Sequence, residues 1–368
     1  MAAKTVRIDG EVSEAIGGLC VRARRLRGGT RDGLLEVELV AGATRVIVLP
    51  DRGLGIWKMT TSQAAVGWQS PIRGPVHPRF VPLGEPSGLG WLDGFDELVA
   101  RCGLVSNGAP DFTPEGRLRH GLHGRIANLP AHDVAAVLDD DAGTVTLTGA
   151  VDESRFLVHA LRMTTRLTLR ADRPRIAWTD TVDNLSDRPT TIQMLYHVNL
   201  GPPLLGAGAG VIVPAAELAP RDAAAVADVP TWNRYEAPRA GRGEEVHFMR
   251  LEPDAMGRAT ALLVAPGGGE AASLSWRMAE LPCFTLWKNQ GGLADGYVTG
   301  LEPGTNFPNP RSFEERQGRV VTLAPHAGVE FDQALEHHAG AAVGGVRRRI
   351  ATATPRISPQ PRSDWSLA

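Results

Sequence analysis

The chain has 368 residues, long enough to bury a large core, and its 39 basic and 41 acidic residues leave a formal charge of -2. That balance excludes a general positive field for nucleic acid, and no stretch approaches the roughly 18 apolar residues of a membrane span. Cys20, Cys102 and Cys283 are odd in number and far apart, which argues against a disulfide scaffold or a cysteine-based zinc site. The start, Met1-Ala2-Ala3-Lys4-Thr5-Val6-Arg7, lacks the apolar run of a signal peptide, so a cytoplasmic protein is expected.

Glycine (42) and proline (27) are abundant, together roughly a fifth of the chain against an ordinary usage of about 12%. Turn-rich composition of this kind goes with many short strands. Leu34 to Val40 alternates and reaches Ala41-Gly42; Thr44 to Leu49 follows and stops at Pro50-Asp51-Arg52-Gly53, a hairpin pattern. Gly67 to Gly90 is crowded with Gly and Pro and is expected to be a long irregular loop of the kind that carries function. Asp96 to Cys102 is compatible with one short helix, and Ala223 to Ala227 is ambiguous. Thr144–Thr148, Met163–Leu169, Arg175–Val182, Thr190–Leu195, Ala261–Val264, Ala272–Trp276 and Val320–Leu323 continue the strand pattern. No alternation of strands and helices appears, which argues against a doubly wound sheet or a barrel of that type. The expected fold is all-β, a large antiparallel sandwich, in one domain over residues 1–338. After His338 the chain turns Ala/Gly-rich and then basic, with Arg347-Arg348-Arg349 before Pro, Ser and Arg, so residues 339–368 are expected to be a disordered tail.

Three polar clusters stand out from this background. Arg119-His120-Gly121-Leu122-His123-Gly124-Arg125-Ile126-Ala127-Asn128 places two His among Gly, Arg and Asn. Glycine admits close backbone approach, and Arg and Asn donate to sugar hydroxyls or an anionic substituent; one His merely ordering a turn is the structural alternative. His197 lies in the strand-like run Gln193 to Leu200 beside Asn199, where a satisfied core histidine is the plain alternative. Glu302 follows the apolar run ending at Leu301 and precedes a turn-rich loop. A carboxylate at a strand end suits base chemistry after partial burial, and pairing with Arg311 is its structural alternative.

Together these segments carry a resemblance. Gly300-Leu301-Glu302-Pro303-Gly304-Thr305-Asn306-Phe307-Pro308 resembles the segment around the base glutamate of galactose mutarotases. His123-Gly124 and His197 with Asn199-Leu200 resemble their two active-site histidines, in the same chain order. The segments Gly103–Pro110, His120–Ala131, Trp287-Lys288-Asn289 and Leu301–Gly304 are similar to an aldose 1-epimerase-like branch of unknown function, of the DUF4432 type. The typical Tyr-Phe after the second His is absent, and His-Gly-Gly has become His-Gly-Arg.

The resemblance implies an aldose 1-epimerase (mutarotase-type isomerase), with Glu302 as base, His197 as protonated acid and His123 binding near the ring oxygen. No metal or other cofactor is implied. Arg125, His120, Asn107, Arg101, Lys288 and Trp287 are further candidates for substrate contact, and their cations would favour an acidic or phosphorylated sugar. Trp91, Trp232 and Trp287 offer an apolar wall, with core packing as the alternative. Two other readings compete: a metal-dependent sugar isomerase or lyase using His120, His123, His197 and Glu302 as ligands, and a carbohydrate-binding protein that has lost turnover.

Overall fold

Alternation of apolar and polar residues builds two stacked antiparallel sheets. The computed structural model describes residues 3–350 and 354–367. A nine-stranded sheet carries the long strands Thr144–Arg155, His159–Arg170, Arg175–Asn184 and Gly328–Ala339 at its centre. A fourteen-stranded sheet runs from Val12–Ile16 at one end, through Gly55–Thr60, Val99–Leu104, Thr190–Leu200, Val298–Gly304, Cys283–Asn289 and Glu244–Leu251, to Ala215–Pro220 near the other. The main core lies between the sheets, with Leu147, Leu167, Trp178 and Phe331 from one and Val37, Val198, Phe284 and Leu301 from the other. This is the all-β sandwich the strand pattern predicts.

The predicted hairpin forms from Leu35–Ala41 and Thr44–Leu49, and Gly42 takes the left-handed conformation at its turn (φ 57°). Asp96 to Cys102 contains no helix. Val99–Leu104 is a strand buried on both faces, and a continuous apolar run of this length has no periodicity to separate strand from helix. Glu302 lies within Val298–Gly304, not at its end. Cys20, Cys102 and Cys283 are buried and free. Among the described residues, no helix is long and apolar enough to cross a membrane.

The tail expected to be disordered is placed against the sheets. Ala341–Arg349 is a helix that buries Val343 and Val346 against Leu262 and Ala271. Arg356–Ile357 adds a short parallel pairing to Ala215–Pro220, and Trp365 is buried against Phe307, ring centroids 5.1 Å apart. Low average apolar content conceals this, because a few side chains at the right spacing do the burying. Thr352 and its two neighbours lie outside the described residues.

The two sheets are also joined through charge. Arg101 projects between them and holds Asp180 with two hydrogen bonds of 2.6 and 3.0 Å, while its third nitrogen donates to the Leu54 carbonyl at 2.6 Å. Thr165 and Tyr196 donate to the same carboxylate at 2.6 and 2.8 Å. Both charged side chains are fully buried, so each depends on the other. Arg101→Ala is expected to lower the unfolding free energy by about 3–5 kcal/mol in urea titrations. The double variant Arg101→Met, Asp180→Leu should recover most of that loss, and a single variant as stable as wild type would contradict this role.

Candidate active site

Side-chain parity decides which residues meet on the outer face of the larger sheet. In a strand, successive side chains point to opposite faces. Tyr196, Val198, Phe284, Leu286 and Leu301 face the inter-sheet core. The residues between them therefore face outward: Leu195, His197 and Asn199, then Gly300 and Glu302, then Cys283, Thr285 and Trp287. The long loop predicted over Gly67 to Gly90 runs beside them, and Trp68, Trp91 and Phe95 pack with Ala100, Cys102, Leu195 and Val298 into a second apolar cluster.

Glu302 and His197 stand face to face in that cluster, with Oε1 3.2 Å from Nε2 and both side chains almost fully buried. Asn199 fixes the imidazole. Its amide nitrogen donates to the carbonyls of Glu97 (2.9 Å) and His197 (3.1 Å), so its oxygen faces His197 Nδ1 at 2.6 Å and that nitrogen carries the proton. Nε2 is left toward Glu302. Burial pushes the Glu302 carboxyl well above its ordinary range, assisted by the nearby Glu244 carboxylate. Burial likewise holds His197 well below the ordinary histidine value, with His123 as a secondary cause. The pair thus favours its uncharged form when no ligand shields it, the opposite of the protonated His197 the resemblance implies.

His123 completes the group. Its ring centroid is 5.4 Å from that of His197 and 4.6 Å from Trp91, and its Nδ1 donates to the Asn107 carbonyl at 2.9 Å. Burial depresses it to about 4. The residue sits at φ 56°, uncommon for a non-glycine side chain. Gly124 follows at φ 72°, where a Cβ would strike the carbonyls of Ser106 and Gly103, which accounts for the His-Gly step. Gly300 is needed for another reason: a Cβ there would collide with Glu302 Oε1 and lie 3.0 Å from the His197 ring. Phe95 and Trp287 close the walls, at 4.9 and 5.2 Å from the His197 ring. Trp91 Nε1, Thr285 Oγ1 and Glu302 Oε1 are buried without a hydrogen-bond partner, and such groups call for an explanation.

The fold is that of aldose 1-epimerase-like proteins. A candidate aldose 1-epimerase from Klebsiella pneumoniae subsp. pneumoniae MGH 78578 superposes with a TM-score of 0.94 at 29% identity, over 98% of this chain and 100% of that one. A galactose 1-epimerase from Lactobacillus acidophilus NCFM (TM-score 0.54, 13% identity, 92% of this chain and 100% of that one) shares the fold alone. So does a galactose mutarotase-like protein from Clostridium acetobutylicum (0.56, 15%, 83% and 96%). No curated protein matches the chain. Residues 32–336 match the family described as a domain of unknown function, DUF4432. The chain belongs to the DUF4432 family.

In this DUF4432 protein the remaining sequence candidates divide sharply. Trp287 lies in the site, and its Nε1 donates to Glu244 at 2.7 Å. Asn107 sits behind His123, where its side chain pairs reciprocally with Asn306 at 2.9 Å. Arg101 is of the opposite parity and points to Asp180. Lys288 also points away, its Nζ 2.5 Å from Asp228, which His247 shares. Arg125 is exposed and acts on Glu153 and His159 beside the smaller sheet, not on His197. His120 lies beside Asp111 and Arg311. The four-ligand set of the metal reading is therefore not assembled, and among the described residues no group of three or more His, Cys, Asp or Glu is arranged to hold a metal ion. Of the three tryptophans, Trp91 and Trp287 form walls while Trp232 packs on the main core.

Parity also brings in Glu244, which its neighbours in sequence do not mark, and gives Asn199 and Gly300 their roles. Glu244, on Glu244–Leu251, stands at the rim, tied to Arg221 at 2.8 Å as well as to Trp287. Asn199 and Gly300 shape the central pair. Only the alternation of apolar residues in strands 190–200 and 298–304 signals their common face.

The raised Glu302 carries a stability signature. Its folded pKa lies above the unfolded value of 4.5, so its stabilising contribution is complete below that value and is lost as pH rises through the folded pKa. Glu302→Gln removes the titration. Thermal melts from pH 5 to 9 should show the variant gaining on wild type as pH rises, and parallel curves would refute the burial argument.

Proposed function

We propose that this protein is an aldose 1-epimerase-type isomerase that interconverts the α and β anomers of a sugar, without cofactor. The observation that carries the reading is the Glu302–His197 pair, two proton carriers facing each other at 3.2 Å inside an aromatic wall. Opening a hemiacetal ring needs a proton taken from the anomeric hydroxyl and one given to the ring oxygen. Glu302 takes the first and His197 Nε2 gives the second, and the bond between the anomeric carbon and the ring oxygen breaks to leave an aldehyde. The aldehyde rotates, and the same two groups run the transfer backwards to close either anomer.

Burial favours the uncharged pair, which is the state reached when the ring is open. Bound sugar hydroxyls that donate to Glu302 and accept from His197 stabilise the charged pair that starts the cycle. His123, neutral and anchored through Nδ1 to the Asn107 carbonyl, presents an unprotonated Nε2 that accepts from a sugar hydroxyl next to the ring oxygen. Trp91 and Trp287 cover the sugar's apolar face. Of the cations expected to favour an acidic sugar, Arg101 and Lys288 are paired to buried aspartates, and Arg125 is exposed on the side of Glu153 and His159. Glu244 and Glu302 flank the site with Arg221 already paired to Glu244 and Asp222, so the substrate is an uncharged sugar.

Saturation-transfer NMR of anomer exchange over neutral, acidic and phosphorylated sugars tests this directly. Neutral sugars should exchange fastest, Glu302→Gln and His197→Asn should each cost about 10²–10⁴-fold, and Arg125→Ala should change little. Gly300→Ala, which displaces the Glu302 carboxylate, should slow exchange while the protein stays folded. No exchange across the panel would leave a sugar-binding role in place of turnover.

A further inference from the structure

Beside the catalytic pair, on the same outer face, lies a second cleft of about 510 Å³ lined by Trp57, Lys58, Gln69, Ser70, Arg73 and Asp96. It adjoins the aromatic wall of the site already described: Phe95, whose ring faces His197, directly precedes Asp96, and Trp68, whose ring packs on Phe95 at 5.0 Å, directly precedes Gln69. Three features show a built site. Trp57 is the extra residue of a β-bulge, since Ile47 pairs with Lys58 while Val48 pairs with Ile56, and bulges re-aim side chains next to functional sites. Its ring is held by a 2.8 Å hydrogen bond from Nε1 to Asp96 Oδ2, and it is half-buried, bordering the cleft. Asp96 is itself 2% exposed, yet its Oδ1 is buried without a hydrogen-bond partner.

The charges select the ligand. Lys58 Nζ donates to the Trp68 carbonyl at 2.8 Å and stops 4.0 Å from Asp96 Oδ1, too far for a direct hydrogen bond. A cation in the cleft would meet Lys58 and Arg73, and an anion would meet Asp96. A hydroxyl satisfies both, accepting from the ammonium and donating to the carboxylate, while an aromatic face beside it suits the apolar side of a pyranose.

We propose that this cleft is a subsite for a second, uncharged sugar ring, so that the protein accepts a disaccharide whose reducing ring occupies the Glu302 site; the assignment of the reducing ring rests on the function proposed above. Burial drives the Asp96 carboxyl up to about 6 and lowers Lys58 from its ordinary value, as expected of groups held out of water.

The test uses the full chain carrying Glu302→Gln, which binds without turnover, titrated calorimetrically with glucose, galactose, maltose, cellobiose and lactose. At least one disaccharide should bind tenfold or more tightly than its monosaccharide. Trp57→Ala and, as a milder change at a partly exposed side chain, Lys58→Gln should each bring that disaccharide down to the monosaccharide level without altering monosaccharide binding. In the otherwise wild-type chain, both should leave monosaccharide anomer exchange within about twofold. Equal affinity for mono- and disaccharides, or a preference untouched by both variants, would overturn the subsite. If no sugar shows exchange while the disaccharide preference holds and both variants abolish it, the proposed reaction fails and the subsite stands.

Discussion

The buried ion pair between Arg101 and Asp180 is the constraint on which the site depends. It fixes how strand Val99–Leu104 sits against the opposite sheet, because a guanidinium enclosed between sheets has nowhere else to satisfy its donors. With Arg101 inward, Ala100 and Cys102 must face outward. Strand Thr190–Leu200 pairs with this strand in register, Ala100 opposite His197, so the same constraint turns His197 toward the outer face. The next strand follows, with Val198 opposite Leu301, and Glu302 arrives beside the imidazole. A one-residue slip would send every one of these side chains to the wrong face.

On that face the chemistry is set by exclusion of water. Trp68, Trp91, Phe95 and Trp287 surround groups that would otherwise be solvated, and burial then moves Glu302 upward and both histidines downward. The opposite shifts reverse the usual order of proton affinity between a carboxylate and an imidazole, so the central pair rests in its uncharged form. The scaffold bears the cost, as a strained His123 backbone and a glycine at 300 that contributes no side chain of its own. Neighbouring loops extend the same surface: the Gly/Pro-rich segment supplies both Trp68 for the wall and Gln69 and Ser70 for the adjoining cleft.

The sequence by itself determined the class of fold, since alternation and turn residues recur throughout, and the identities at the centre, Glu302, His197 and His123, through the motifs around them. Their resemblance also pointed to the DUF4432 branch. What it did not determine was direction. Arg101, Lys288 and Arg125 are cations within or beside these motifs, and nothing local distinguishes a side chain facing a ligand from one facing a buried partner; Asp180 and Asp228, the partners that claim Arg101 and Lys288, are 79 and 60 residues away. Glu244 joined the site for the same reason in reverse. The ordered tail escaped because Trp365 finds Phe307 only after folding. Side-chain parity is fixed by strand register, and register is fixed by long-range pairing and by the burial of charge, so only the tertiary structure could decide which of the polar residues look at the same point in space.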